Sequence, residues 1–79
     1  MKVLNHPIDV IALFDQEGHI TPYKFKFKDK PVVVHRVMKS YLEKLAGNNR
    51  FVFICIHNER DVYELKYELD SHKWYLFRR

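Results

Sequence analysis

The chain has one cysteine, Cys55, two glycines and three prolines among its 79 residues. A lone cysteine excludes an internal disulfide framework, so a domain this small must be held by its core or by a partner. Two glycines, Gly18 and Gly47, are too few for a glycine-rich loop that cradles phosphate, and neither a P-loop nor a dinucleotide fingerprint is present. No run approaches the roughly 20 apolar residues that a membrane-spanning helix needs. The first residues are interrupted by Lys2, Asn5, His6, Pro7 and Asp9 and lack the apolar stretch of a secretion signal. These absences predict a soluble protein of the reducing cytoplasm with no membrane partner.

Aromatic residues are plentiful: six Phe, five Tyr and one Trp. Each removes roughly 150 to 250 Å² from water when buried, which gives a short chain a dense core. The length suits one domain, residues 1–79, and not two. Lys and Arg number 14 against 10 Asp and Glu, a net charge of +4 that favours polyanionic partners and also serves solubility.

Periodicity predicts a β protein. Within Val3 to Phe14, the segment Ile8 to Phe14 reads as a strand apolar on both faces. Asp15 to His19 forms a polar loop with Gly18 available for a positive φ. Ile20 to Phe27 follows with the clearest alternation, Tyr23, Phe25 and Phe27 against Lys24, Lys26 and Lys28, while Pro22 demands an edge or a strand start. Lys28 to Lys30 turns the chain into a third strand, Val32 to Met38.

Ser40 and Glu43 have capping-box spacing and Gly47 suits a helix C-terminus, which predicts a short helix over Tyr41 to Ala46 that packs through Leu42 and Leu45. Phe51 to Ile56 is apolar throughout and reads as a two-sided buried strand. Val62 to Leu69 alternates again, Tyr63, Leu65, Tyr67 and Leu69 against Glu64, Lys66 and Glu68, and Trp74 to Phe77 is the last strand. The expected fold is mainly β: a six-strand antiparallel meander curled into a half-barrel with one short helix, ordered β-β-β-α-β-β-β.

The lysines at 24, 26, 28 and 30 carry the most suggestive pattern. Alternate strand positions set ammonium groups about 6.6 to 6.8 Å apart, near the phosphate spacing of an extended single strand. Arg36, Lys39, Arg78 and Arg79 extend the row, and Tyr75 or Phe77 offers a stacking surface for bases. Lys24, Lys26, Lys28 and Arg36 are therefore candidate nucleic-acid contacts. The plainer reading is a solvated strand face neutralised by Glu64 and Glu68, which requires their strand to lie beside the lysine strand.

Trp74, Tyr75 and Phe77 give the last strand bulky groups on both faces. A terminal strand is normally an edge, so these three are candidate interface residues for a second copy or another protein, unless closure against the first strand covers them.

Cys55 and His57 point the same way along a strand, but paired metal-ligand spacings are absent, so no metal and no cofactor is expected. Cys55 lies among Phe, Val and Ile, where burial makes a thiol inert, and no nucleophile–base arrangement can be placed. The chain is expected not to be an enzyme.

Thr21-Pro22-Tyr23-Lys24-Phe25-Lys26-Phe27, then Val32 to Val37, Tyr63-Glu64-Leu65-Lys66-Tyr67-Glu68 and Lys73-Trp74-Tyr75-Leu76, together resemble a family of short bacterial proteins, a domain of unknown function. The shared pattern is a proline before alternating aromatic and basic residues, and a Tyr-Glu-Leu strand before a Trp-x-Leu strand. It spans roughly residues 8 to 78, less rich in Arg and Trp than the actinobacterial members. Those members are often encoded beside translesion DNA polymerases, so the resemblance implies a DNA-linked setting by association. The residues favour a small β-rich binding or protein-interaction module that self-associates, with a nucleic-acid-binding accessory domain as the alternative.

Overall fold

The computed structural model describes residues 2–79. It contains seven strands: β1 (Val3–Phe14), β2 (Ile20–Phe27), β3 (Lys30–Val33), β4 (Arg36–Leu45), β5 (Asn48–His57), β6 (Asp61–Glu68) and β7 (Trp74–Arg78). All pairings are antiparallel, and the strand order is β3-β2-β1-β7-β6-β5-β4. Among the described residues no helix is long and apolar enough to cross a membrane.

The order itself explains the curl. β3 and β4 stand at opposite ends of the sheet, yet only Val34 and His35 separate them. The three residue steps from Val33 to Arg36 span at most about 11 Å, so the two ends must be brought together. The link is pinned on both sides: Val34 N–H donates to Tyr23 O at 2.8 Å and His35 N–H to Ile56 O at 3.0 Å. The result is an antiparallel sheet curled into a half-barrel, as the alternation predicts.

The expected helix is absent. Tyr41 to Leu45 continues β4, which pairs with β5 from Arg36↔Ile56 to Leu45↔Asn48. A helix of under two turns has little stability of its own, whereas this register gives a ten-residue ladder. Gly47, at φ 80°, sits with Ala46, at φ 50°, in a two-residue hairpin turn whose left-handed backbone glycine tolerates. Glu43 reaches across β5 to Lys66 and caps nothing. The expected strand Val32 to Met38 is likewise two elements, broken at Val34 and His35 where the chain passes from one end of the sheet to the other. Among the described residues, seven strands and no helix thus replace six strands and one helix.

Register shifts occur in four of the six pairings, and those in β2 and β4 bear on the surface. Pro22 pairs with Ala12 and Lys24 with Ile11, leaving Tyr23 as the extra residue of β2. The bulge accommodates Pro22 inside a strand, fully buried, and turns Tyr23 out to solvent although alternation assigns it to the aromatic face. In β4, Met38 is the extra residue between Val37↔Cys55 and Lys39↔Ile54.

The concave face holds the core: Phe25 and Phe27 of β2, Phe53 and Cys55 of β5, Tyr63, Leu65 and Tyr67 of β6, and Trp74 and Leu76 of β7. Edge-to-face contacts such as Phe25–Tyr63, with centroids 5.3 Å apart, join distant strands.

Candidate functional site

Two surfaces stand out once the core is filled. The first lies on β1, β2 and β3. Lys24 and Lys26 stand exposed on the outer face, opposite Ile11 and Asp9 of β1 and Val33 and Pro31 of β3. β2 and β6 are not neighbours, because β1 and β7 lie between them. Glu64 and Glu68 therefore do not neutralise the lysine row, and the carboxylate opposite Lys26 is Asp9. Lys28, exposed in the turn, leans over the Phe27 ring at 5.3 Å. Lys26 and Lys28 border a cleft of about 700 Å³ that also takes in Lys73, Trp74 and Tyr75, with Asp9 and Asp29 on its walls. Arg36 stands apart from this cleft, donating from Nη2 to Glu59 Oε2 at 2.8 Å. That pairing holds the Glu59 carboxyl below, and the Arg36 guanidinium above, their ordinary values.

The candidate interface residues are placed differently from the expectation. β7 is not an edge: β1 covers one side and β6 the other. Closure against the first strand, the alternative recognised from the pattern, is what covers it. Trp74 is buried between Phe53 and Tyr67, at centroid distances of 5.6 and 4.9 Å. Tyr75 and Phe77 are half-buried.

Phe77 belongs to a layer of side chains lying flat on the outer face of β4 to β7. Lys66 Nζ sits 3.6 Å from its ring centroid and donates to Glu43 Oε2 at 2.9 Å. Arg78 donates to Glu64 Oε1 at 2.7 and 3.0 Å through Nη2 and Nε. These neighbours leave Lys66 and Glu64 only 4% and 3% exposed, although alternation marks both for solvent. An ion pair shielded this far is sensitive to the loss of either partner. The signal was present in the chain as opposite charges alternating on a strand followed by an aromatic strand, but only the strand order reveals the shielding.

The second surface is β4, which sequence reasoning read as a third strand running into a helix. β4 ends the strand order, so its far edge has no partner among the seven strands. Met38, Tyr41, Leu42 and Leu45 are exposed on it. Between β4 and the start of β2 runs a groove of about 510 Å³, walled by Val37, Ser40 and Tyr41 on one side and Gly18 to Thr21 on the other, with Phe51 and Phe53 at its floor.

Which β4 groups face outward follows from the hairpin. The residues flanking a two-residue turn form a hydrogen-bonded pair, and such pairs recur at every second position. Leu45, Glu43, Tyr41 and Lys39 therefore aim their N–H and C=O groups at β5, while Lys44, Leu42 and Ser40 aim theirs at the open edge. The bulge at Met38 and the lysines at 39 and 44 limit indiscriminate pairing there.

The remaining reactive groups are engaged. Burial pushes the Cys55 thiol up to about 12, which leaves it protonated at neutral pH. His57 Nδ1 lies 2.9 Å from Val33 O and its Nε2 3.0 Å from Asn58 Nδ2, while His35 Nδ1 accepts from Asn58 N–H at 2.9 Å. Among the described residues no group of three or more His, Cys, Asp or Glu side chains is arranged to hold a metal ion. Comparison with protein-family models finds no match, and comparisons with curated proteins and with solved structures find none either.

Proposed function

We propose that this chain is a protein-interaction module that takes an extended polypeptide strand, including one from its own kind, along the open edge of β4. One observation carries the reading: β4 is ten residues long, ends the sheet and leaves four large apolar side chains exposed. An edge of this kind is a template for strand addition, in which main-chain hydrogen bonds supply affinity and alternate side chains supply selectivity. No catalytic step enters this reading. A reducing bacterial cytoplasm suits it, since the buried Cys55 serves there as a small core hydrophobe.

The test is a titration of labelled protein with a panel of extended peptides of alternating apolar and polar residues, followed by amide chemical shifts. Shifts concentrated at Ser40, Leu42 and Lys44 are expected. If neither peptides nor raised protein concentration perturb those amides, the reading fails.

A second reading has a specific observation in its favour. Lys26, Lys28 and Lys73 share one cleft with the half-buried Tyr75, which sets cations beside an aromatic ring as single-strand binders do. Lys24 stands exposed beside it on β2, whereas Arg36 is spent on Glu59. Fluorescence anisotropy with single- and double-stranded oligonucleotides decides the matter. Salt-sensitive binding lost in Lys24→Glu/Lys26→Glu supports an accessory nucleic-acid role, and no binding at low salt removes it.

A further inference from the structure

We infer that the strand accepted by β4 is the β4 of a second copy, paired antiparallel about a two-fold axis through Tyr41. The inference rests on the edge-binding reading above and goes further by fixing occupant and register.

An antiparallel pair related by a two-fold axis places residue i opposite residue j′ at a constant value of i + j, and that value is even because facing side chains must share a face. The outward-aimed residues Ser40, Leu42 and Lys44 then face one another, and those whose N–H and C=O groups serve β5 face one another as close, non-hydrogen-bonded pairs.

Charge selects among the few registers left. Centring the axis on Lys39, Glu43 or Lys44 sets like charges directly opposite, which is destabilising. Centring it on Ser40 sets Lys39 against Tyr41′, and centring it on Leu42 sets Lys39 against Leu45′, so neither opposes unlike charges. With the axis at Tyr41, Lys39 faces Glu43′ and Glu43 faces Lys39′, so the opposite-charge pair occurs twice. Ser40 and Leu42′ then exchange both hydrogen bonds of a wide pair, as do Leu42 and Ser40′.

The groups involved are available. Lys39 has no carboxylate within ion-pair distance and leans over the Tyr41 ring at 5.4 Å. Glu43 keeps about a quarter of its side chain exposed while bonded to Lys66 and Arg50, and a carboxylate has lone pairs for a further donor. Leu42 to Leu45 take no part in lining the groove beside β2, whereas Ser40 and Tyr41 wall it, so the second copy's strand runs past Leu42 in the open and into the groove at Ser40. Pairing would cover Tyr41 and Leu42, two of the exposed apolar groups of the edge.

The experiment combines sedimentation of the full chain over a wide concentration range with oxidative cross-linking of Tyr41→Cys. In the proposed register the two 41 positions form a close pair with Cα atoms about 4.5 Å apart, inside the range a disulfide spans. Cys55 is buried and does not compete.

A reversible dimer is expected, with rapid disulfide formation in Tyr41→Cys and none in Leu45→Cys. Lys39→Glu should weaken dimerisation about tenfold or more, and Leu42→Pro, which removes an outward N–H, should abolish it. Should the cysteine or proline variant not fold by circular dichroism, isotope-filtered NOEs between Ser40 and Leu42′ of the unaltered chain give the same decision. A chain monomeric at millimolar concentration overturns the proposal, as does a dimer without the 41–41′ cross-link and the Ser40–Leu42′ NOEs. A monomer whose β4 amides still respond to added peptides overturns it too, but leaves the edge-binding reading standing.

Discussion

β4 and β5 are neighbours of equal length, both carrying apolar residues on each face, yet every residue of β5 is buried or half-buried while β4 shows most of its residues to solvent. Composition contributes, since β4 carries four charged residues and β5 only Arg50, but strand order decides what the apolar residues of each strand face. β5 has β4 on one side and β6 on the other, with the core beneath it and the Lys66–Glu43 layer above. β4 has a partner on one side only. Two-sided apolar character therefore means core when a strand is flanked, and apolar side chains left open to solvent when it ends a sheet.

Substitutions of two leucines, one in the covered interior and one on β4, test this contrast. Leu65→Ala, at a side chain that is 0% exposed, should cost about 3 kcal/mol, whereas Leu42→Ala, at 45% exposed, should cost less than about 1 kcal/mol. Denaturant melts at a concentration where the protein is monomeric measure both, and equal losses would mean that β4 is no less covered than the interior.

Charged residues give the next contrast. Lys66→Ala strands Glu43 without its closest donor inside a shielded layer and should cost about 3 kcal/mol, while Lys24→Ala should stay within about 0.5 kcal/mol. A Lys66→Met variant that restores most of the loss would show that cover of the layer matters more than its charge.

Acid titration should give the smallest effect. Asp15 lies below its ordinary value of 3.8, held mainly by the His19 N–H; Glu59 and Glu68 lie below 4.5, through Arg36 and through Ser71 with Asn48. A carboxyl with a lower pKa folded than unfolded stabilises the fold above its ordinary value and ceases to do so as pH falls through the folded one. Thermal melts should therefore be flat from pH 7 to about 5 and decline below about 4.5. Glu59→Gln should flatten part of that decline, since its share depends on Arg36.

Much of the architecture was legible in the residues. Alternation located β2 and β6, the unbroken apolar run located β5, and the Asp15 to His19 loop closes as a hairpin with Asp15 Oδ1 accepting from the N–H groups of Glu17 and His19. The capping-box spacing of Ser40 and Glu43 misled because a local signal competes with a register reaching across to Asn48 through Ile56, and short helices lose that contest. Tyr23 was misplaced because a bulge shifts the phase, and its mark in the sequence, Pro22, was read as an edge or a strand start. The lysine row was legible as a row, but Asp9 opposite Lys26 and Glu59 on Arg36 depend on pairings that no local pattern contains. Trp74 reads as an interface only while β7 is assumed to be an edge.

The pairing of β1 with β7 joins the extremes of the chain, where Lys2 and Arg79 exchange backbone hydrogen bonds at 2.9 and 3.2 Å. During synthesis β1 and β2 emerge before β7, so one flank of β1 stays bare until β7 arrives. Closure at such sequence separation is slow, and the waiting hairpin is the form most open to chaperones. The same adjacency makes the chain a natural candidate for circular permutation: joining the ends and opening the Ala46–Gly47 turn would let β1 follow β7 directly and shorten that wait.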